Sequence, residues 1–185
     1  VGKPTDNSGF GGAAFASLIL DEQAKESNKG AVQVPDPFLK NVLIRSSYKV
    51  FEEARKNNIE LGFKDLGAGG IMCVTSELCS AASYGALIDL DKVHVSMDIP
   101  DFMIINSETQ ERFAWICPKE FSNRILEIYN KEFALPSIAE KAQAKIIGNV
   151  TKEQNYVVKH KGKTVCNVPI NAVTSGIRYN RPSKQ

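Results

Sequence analysis

Residues 64–70 read Lys-Asp-Leu-Gly-Ala-Gly-Gly and place the carboxylate of Asp65 just before three glycines. Glycines let backbone N–H groups approach a phosphate closely, and the free N–H groups at the start of a following helix point the same way. An aspartate here can also hold a magnesium ion that bridges to phosphate oxygens. The alternative is a tight turn in which Gly67 and its neighbours only supply positive φ angles, since short glycine-rich loops match by chance.

A second glycine-rich loop lies at the start of the chain. It contains Gly9, Gly11 and Gly12, and hydroxyl, amide and carboxylate side chains precede them at positions 5–8. A loop with so many backbone donors suits a phosphorylated ligand, which makes these glycines and Gly67 the candidate phosphate contacts. A disordered terminal segment is an equal alternative.

Gln33 stands shortly before a predicted helix start. Asp36 is a suitable N-cap, and Pro37 at the first helical position loses nothing by lacking an N–H group. The apolar periodicity that follows predicts a helix to about Lys56. The amide of Gln33 is therefore placed near a helix N-terminus, where it can bind a ligand. A strand residue facing water is the simpler interpretation of this position taken alone.

Residues 107–112, Ser-Glu-Thr-Gln-Glu-Arg, form a fully polar stretch between the apolar runs 102–105 and 113–116. Such a stretch is usually a solvent-facing connection between two core segments. The other interpretation is a ligand-binding edge, in which Glu108 and Gln110 supply hydrogen bonds that fix the orientation of a ligand. The pattern alone leaves both interpretations open.

The remaining pattern alternates strands with helices and ends in a hairpin. The predicted helices cover residues 37–56, 70–83, 99–106, 118–133 and 136–142. The predicted strands cover residues 59–64, 86–95, 112–117, 145–150, 156–160 and 163–169, the last two joined by a turn at 161–162. We therefore expect an α+β fold, a mixed β-sheet flanked by helices, with a linker or frayed tail from residue 175.

Composition narrows the classes of protein. The 185-residue chain is 43% hydrophobic and 24% charged with a formal net charge of +2, which is typical of a soluble globular protein and gives no basic field for nucleic acid. No apolar run approaches the roughly 20 residues needed to span a bilayer, and no signal-peptide pattern begins the chain. These features predict a cytoplasmic protein with neither nucleic-acid nor membrane partners.

The cysteines and histidines form no recognisable catalytic or zinc-binding pattern. The four cysteines lack CxxC spacing and are predicted to be buried free thiols. His94 and His160 lie in strand-like stretches with polar neighbours and are predicted to be surface or edge residues. Without a well-placed histidine, Ser-His-Asp and Cys-His schemes of nucleophilic catalysis have little support.

Four segments, taken in order, resemble the synthetase subunits of the phosphoribosylformylglycinamidine synthase (formylglycinamide ribonucleotide amidotransferase) family. They are Gly-Phe-Gly-Gly-Ala-Ala-Phe-Ala-Ser at 9–17, Val-Gln-Val-Pro-Asp-Pro-Phe at 32–38, Lys-Asp-Leu-Gly-Ala-Gly-Gly-Ile at 64–71 and Ser-Glu-Thr-Gln-Glu-Arg at 107–112. Each segment alone is shared with aminoimidazole ribonucleotide, thiamine phosphate and selenophosphate enzymes, whereas the ordered set is far more specific. The resemblance implies the first C-terminal-type lobe of the aminoimidazole ribonucleotide synthetase-like superfamily, over residues 1–177, with 178–185 as a linker or tail.

The resemblance implies a lobe of an ATP-dependent amidoligase of purine biosynthesis. In that reaction, ammonia made from glutamine replaces the amide oxygen of formylglycinamide ribonucleotide. Gln33, Glu108, Thr109 and Gln110 would contact this ribonucleotide, and Asp65 would be a ligand of Mg²⁺, which offsets the charge of ATP. The glycine loop near the N-terminus would lie close to the substrate phosphate.

The same resemblance implies what the rest of a longer polypeptide supplies. The catalytic residues are expected in a preceding domain, and a second pair of lobes is expected to follow. A glutaminase subunit and a small accessory subunit would be the partners. The chain starts at Val1 without methionine and is expected to be a piece of a longer protein, inactive as a synthetase when alone.

Three departures from the family pattern bear on these assignments. Where the family often has Thr-Gly-Arg-Asp-Gly, residues 5–9 read Thr-Asp-Asn-Ser-Gly, so an arginine able to contact phosphate is absent. Pro35 replaces the usual glycine, and Lys64 replaces the usual glutamine. The alternatives are a lobe of a related enzyme of the aminoimidazole ribonucleotide or selenophosphate synthetase type, which residues 107–112 argue against, and a stand-alone nucleotide-sensing domain.

Overall fold

The computed structural model describes residues 1–12 and 35–176. The helices are α1 (Pro37–Lys56), α2 (Gly70–Ala81), α3 (Asp101–Asn106), α4 (Lys119–Glu127), α5 (Leu135–Ile138) and α6 (Ile170–Thr174). The strands are β1 (Gly62–Asp65), β2 (Gly85–Asp89), β3 (Phe113–Ile116), β4 (Gly148–Thr151), β5 (Asn155–His160) and β6 (Lys163–Pro169). None of the helices in these two ranges has the length and apolar character needed to cross a membrane.

Two sheets form the framework of the fold. In the four-stranded sheet the order is β4-β2-β5-β6, with β2 parallel to β5 and the other neighbours antiparallel. Strands β1 and β3 form a separate antiparallel pair in which Asp65 lies opposite Phe113. This register brings the glycine loop that follows β1 next to the polar stretch that precedes β3. The predicted α+β fold with a mixed sheet and flanking helices is confirmed.

Helix α1 has the ends that the sequence predicts. Asp36 Oδ1 accepts a hydrogen bond of 2.9 Å from the backbone N–H of Leu39, and Pro37 occupies the first turn. The buried face of α1 packs with residues of α4, β3 and the π-helical turn Ile128–Glu132 in one hydrophobic cluster. This cluster holds the start of α1 in place beside the polar stretch 107–112.

Helix α2 begins at the glycine loop and covers the mixed sheet. Gly69 adopts a left-handed conformation at the N-cap, and the buried side chains of Ile71 and Val74 join a second hydrophobic cluster with residues of β2 and β5. Two members of the predicted apolar face differ from expectation. Leu78 is half-buried, whereas its neighbour Cys79 is buried. Ala82 is exposed, because α2 ends at Ala81.

Three predicted strands have clearly different bounds. The strand predicted over 59–64 is β1, which begins only at Gly62. The strand predicted over 86–95 ends at Asp89, because Asp89 Oδ1 accepts a hydrogen bond of 3.2 Å from the N–H of Asp91 and a 3-10 turn follows at Leu90–Lys92. The strand predicted over 145–150 begins only at Gly148. The hairpin β5–β6 with its turn at 161–162 is confirmed.

Two predicted helices also differ. The helix predicted over 118–133 is α4 followed by the π-helical turn. The helix predicted over 136–142 is the short α5, because Ala134 precedes it with a φ of +49° and Ala139 is already extended. The break predicted between these two helices is therefore present at Ala134, and the second helix is shorter than predicted.

Candidate functional site

The glycine loop between β1 and α2 is closed by its own backbone and by one carboxylate. The N–H of Gly70 donates to the carbonyl of Gly67 at 3.1 Å, and the N–H of Gly69 donates to Glu108 Oε1 at 3.3 Å. Gly70 has a φ of +56° and packs so closely that an added Cβ would lie 2.4 Å from the carbonyl oxygen of Ser107. The glycines therefore do more than supply positive φ angles, since they let the loop pack directly on the 107–112 stretch.

The polar stretch 107–112 is buried, so its interpretation as a solvent-facing connection is wrong. Five of its six residues are at most 5% exposed, and only Gln110 is half-buried. Buried polar groups require partners, because an unmade hydrogen bond in the interior is costly. Most of these partners lie in the N-terminal loop and at the start of α1.

Ser107 and Thr109 bind the N-terminal loop. The Ser107 hydroxyl contacts the carbonyl oxygens of Asp6 and Ser8 at 2.6 and 3.0 Å. The Thr109 hydroxyl donates to Asp6 Oδ1 at 2.8 Å, and the backbone N–H of Asp6 lies 3.2 Å from Thr109 Oγ1. The Asp6 carboxylate also accepts from the Ser8 N–H at 3.0 Å. These bonds join two loops that are far apart in the sequence.

Arg112 is a buried cation that ties the same loops together. Its Nε donates to the carbonyl of Thr109 and its Nη1 to Thr5 Oγ1, both at 2.8 Å, and its Nη2 donates to the carbonyl of Ser107. Burial lowers the pKa of Arg112 to about 10, and the nearby Asp6 carboxylate opposes this effect. The guanidinium therefore binds neutral oxygens in its immediate shell, with one carboxylate close by.

Glu111 faces the opposite way, towards α1. It has a φ of +58°, and its Oε1 accepts a hydrogen bond of 3.1 Å from the backbone N–H of Asp36. Its Oε2 forms an ion pair with Lys40 Nζ at 2.9 Å. The same ammonium group lies 4.9 Å from the ring centre of Phe113. Glu111 thus connects the polar stretch to the first turn of α1.

The structure brings most of the sequence-predicted site residues into one region. Glu108 contacts the glycine loop, and Thr109 contacts the N-terminal loop, in which Gly9 and Gly11 have positive φ angles and the N–H of Gly12 donates to the carbonyl of Gly9. Gln33 lies outside the described residues. The substrate roles of these residues stay predictions.

Asp65 is the exposed last residue of β1. Among residues 1–12 and 35–176, no group of three His, Cys, Asp or Glu side chains is arranged to hold a metal ion. Magnesium prefers carboxylate oxygens and keeps several water ligands, so a single aspartate fits as one ligand of such an ion. The described residues do not fit a complete metal site.

The two histidines and the four cysteines are all buried or half-buried. His94, which was predicted to lie at the surface or an edge, is half-buried, with Nε2 3.0 Å from the carbonyl oxygen of Gly2, and burial lowers its pKa to about 4. The four cysteines are free as predicted. Cys79 is buried, and the others are half-buried.

Sequence reasoning missed the anchoring side chains of this region, namely Asp6, Ser107, Glu111 and Arg112. The available signal was position, because the charged pair 111–112 immediately precedes a strand that is apolar throughout. A charged residue directly beside a buried strand is pulled towards the core, and charged residues are almost never fully buried unless they are paired. That signal indicates burial with partners, but it does not identify the partners.

Comparison with known proteins finds relatives along nearly the whole chain. The family model of the AIR synthase related protein, C-terminal domain, matches residues 1–161. The chain is 51% identical over 181 residues to the phosphoribosylformylglycinamidine synthase subunit PurL of Methanothrix thermoacetophila, which covers 98% of this chain and 24% of that protein. The PurL subunit of Thermococcus kodakarensis is 33% identical over 177 residues, covering 94% of this chain and 23% of that protein.

Two solved structures from Thermotoga maritima are also similar. PurL complexed with FGAR has a TM-score of 0.76 and 31% identity, covering 100% of this chain and 29% of that chain. PurLQS has a TM-score of 0.66 and 30% identity, covering 86% of this chain and 26% of that chain. The chain spans about a quarter of the length of the curated relatives it matches. This chain belongs to the family of AIR synthase related C-terminal domains.

Proposed function

We propose that this chain is the substrate- and metal-binding lobe of a phosphoribosylformylglycinamidine synthase, an ATP-dependent C–N ligase of purine biosynthesis. The enzyme would convert formylglycinamide ribonucleotide and glutamine-derived ammonia to formylglycinamidine ribonucleotide. The observation that carries the proposal is the meeting of three loops at residues 107–112. Ser107 and Thr109 bind the N-terminal loop, and Glu108 binds the glycine loop. The similar PurL of Thermotoga maritima has been solved with FGAR.

Glu108 and Gln110 are the proposed direct contacts to the ribonucleotide. Carboxylate and amide groups can bind ribose hydroxyls and the formamide group, and their placement between two glycine-rich loops suits a phosphorylated ligand. Thr109 contributes by position, because its hydroxyl is engaged by Asp6. Gln33 completes the proposed set, and its place just before the capped start of α1 supports that role.

The N-terminal loop is the better candidate for the substrate phosphate. Gly9 and Gly11 there adopt positive φ angles, and an added Cβ at Gly11 would meet no atom within 4 Å, so a ligand can approach closely. In the other loop, the N–H of Gly69 already donates to Glu108, which leaves Gly67 a lesser part. Backbone N–H groups would thus replace the arginine that is absent from residues 5–9.

Asp65 would supply one carboxylate ligand to Mg²⁺. The ion, when bound with ATP, would offset the charge of the phosphate groups. Its remaining ligands would come from the nucleotide, from water and from other parts of the polypeptide, because the described residues offer no complete site. Gly67 lies beside this carboxylate, where an added Cβ would be in ordinary van der Waals contact with Asp65 Oδ2, at 3.8 Å.

The remaining machinery would lie outside this chain. Catalytic groups are assigned to a preceding domain, and the lobe would be inactive as a synthetase when alone. A glutaminase subunit and a small accessory subunit are the proposed partners in the cytoplasm. The solved PurLQS assembly of Thermotoga maritima supports a multi-subunit arrangement.

The proposal is tested with the full-length enzyme, supplied with ammonium, ATP, Mg²⁺ and formylglycinamide ribonucleotide while ADP release is followed. Asp65→Asn and Gln110→Ala are each expected to lower substrate-dependent ADP release at least tenfold, because each removes a proposed ligand of metal or substrate. The matched controls are Asp91→Asn and Gln154→Ala, which change exposed residues of the same types. Both controls are expected to stay within twofold of the unaltered enzyme.

Each result leads to a distinct conclusion. ADP release that does not depend on the ribonucleotide would replace the proposal with a related ATP-using enzyme. Ribonucleotide-dependent release that both site variants leave unchanged would keep the reaction and reject the assigned residues. Turnover by the isolated 185-residue chain would contradict the assignment of catalytic groups to another domain.

A further inference from the structure

The two charged residues that end the polar stretch are buried and bind different segments of the chain. Glu111 and Arg112 are each 4% exposed. Burying a charge is unfavourable unless it is paired and hydrogen-bonded. Glu111 and Arg112 are therefore held in the interior by their partners. Two of these are carbonyl oxygens of the polar stretch itself, and the others belong to the N-terminal loop and to the start of α1.

Arg112 fixes the polar stretch to the N-terminal loop. Nε and Nη2 of its guanidinium group donate to the carbonyl oxygens of Thr109 and Ser107, and Nη1 donates to Thr5 Oγ1. Thr5 is itself held through its backbone, because its N–H donates to the backbone carbonyl of His94 at 2.9 Å. A planar guanidinium group with donors in several fixed directions can make these bonds together, whereas a lysine ammonium group on a flexible stem cannot reproduce them.

Glu111 fixes the same stretch to the start of α1. Its two carboxylate oxygens reach the backbone N–H of Asp36 and the ammonium group of Lys40. Asp36 also caps the helix through Leu39. The carboxylate thus holds the segment that immediately follows the proposed substrate contact Gln33, from the side opposite to Arg112.

We infer that Glu111 and Arg112 are positioning residues that align the polar stretch 107–112 with two neighbouring segments, Arg112 by holding Thr5 in the N-terminal loop and Glu111 by holding the start of α1. The inference rests on the proposed function for the identity of the ligand. Neither side chain is assigned a contact with the ribonucleotide. Glu108 and Gln110 are the residues assigned such a contact. They belong to the same polar stretch as Glu111 and Arg112, so their positions depend on both of these side chains.

The test measures backbone hydrogen exchange and ligand binding in the full-length protein. Arg112→Lys is expected to speed exchange of the amides at 5–8 at least tenfold while leaving those at 36–40 within twofold. Glu111→Gln and Lys40→Met are expected to produce the reverse pattern, because each removes the ion pair at α1. All three variants are expected to weaken formylglycinamide ribonucleotide binding at least tenfold in calorimetry, with binding of a non-hydrolysable ATP analogue changed less than twofold.

Arg124→Lys is the matched control, because Arg124 is ion-paired with Glu53 away from this region. It is expected to change neither exchange pattern nor ribonucleotide affinity. A purely structural role would lower the unfolding temperature of a variant without changing the affinity of its folded fraction, and that result would overturn the inference. Exchange that rises equally in both segments for every variant would overturn it as well.

Failure of the inference is separable from failure of the proposed function. If the unaltered protein does not bind the ribonucleotide, the proposed substrate is rejected. The segment-specific exchange patterns then still decide whether Glu111 and Arg112 align the two segments. If the unaltered protein binds the ribonucleotide and all three variants bind it equally well, the proposed function stands and the positioning roles are rejected.

Discussion

The hydroxyl of Thr109 donates a 2.8 Å hydrogen bond to Asp6 Oδ1 across 103 residues of sequence. The backbone N–H of Asp6 lies 3.2 Å from the same hydroxyl, so one small side chain serves as both donor and acceptor. Thr109 is 1% exposed, and water cannot replace either partner without opening the loop. This pair fixes the distance between the two loops to which the ligand contacts are assigned.

Replacing Thr109 by valine keeps the shape of the side chain and removes both bonds. An unsatisfied buried donor or acceptor costs about 1–3 kcal/mol, so Thr109→Val is expected to lower the free energy of unfolding by about 2 kcal/mol. Thr164→Val is the control, because Thr164 is exposed on the edge strand β6 and its loss is expected to change stability by less than about 0.5 kcal/mol. Urea unfolding measures both, and equal losses would contradict the importance of the Asp6 contact.

The sequence predicts the helices and strands around the site better than it predicts which residues of the site are buried. The cap at Asp36, the helix after Gly69 and the final hairpin all follow from local signals, namely capping residues, glycines and periodicity, and all are found. These signals act over a few residues, so they can be recognised without knowing which distant residues the element packs against.

The burial of residues 107–112 could not be predicted in this way. Six consecutive polar residues are typical of a surface, and only long-range pairing with residues 5–8 and 36–40 makes their burial favourable. The strand predicted over 86–95 is present as β2, and only its predicted end is wrong. Its alternation continues past Asp89, but a side-chain hydrogen bond to the backbone ends the strand there.

Gly70 is expected to be intolerant of any side chain. Gly70→Ala would place a Cβ 2.4 Å from the carbonyl oxygen of Ser107, a backbone atom that cannot move without displacing the polar stretch. The residue would also adopt a φ of +56°, which costs an L-residue roughly 1–2 kcal/mol. We expect a loss of about 3 kcal/mol or more in the free energy of unfolding.

Gly162→Ala separates the cost of a positive φ angle from the cost of the clash with Ser107. Gly162 has a φ of +72° in the turn between β5 and β6, yet an added Cβ there would meet nothing within 4 Å. Its loss is expected to be only the conformational cost of about 1 kcal/mol. Denaturant unfolding of both variants side by side measures the difference, and similar losses would mean that the contact with Ser107 is readily relieved.

Tyr129 is a fully buried phenol that holds α1 against β3. Its hydroxyl lies 2.7 Å from Ser47 Oγ and accepts a hydrogen bond of 3.0 Å from Trp115 Nε1. Tyr129→Phe removes the acceptor of the Trp115 N–H and one partner of Ser47, whose hydroxyl keeps its bond of 2.7 Å to the carbonyl of Leu43. The change is expected to lower stability by about 1–2 kcal/mol. Tyr48→Phe makes the same chemical change at an exposed position and is expected to cost less than about 0.5 kcal/mol. Thermal unfolding compares the two, and a Tyr129→Phe variant as stable as Tyr48→Phe would contradict the structural role of the hydroxyl.

The lowered pKa of His94 predicts that the stability of the protein falls at acidic pH. Burial, with the nearby positive charges of Lys145 and Arg112, lowers its pKa to about 4. The carbonyl oxygen of Gly2 can only accept a hydrogen bond, so Nε2 carries the proton in the neutral ring. Below pH 6.5 the unfolded chain takes up a proton at this residue and the folded protein does not, so stability is full above pH 6.5 and falls towards pH 4. Between pH 7.5 and 4.5 we expect the unaltered protein to lose about 2 kcal/mol more than His94→Gln in urea unfolding, and parallel losses would show that His94 protonates equally in both states.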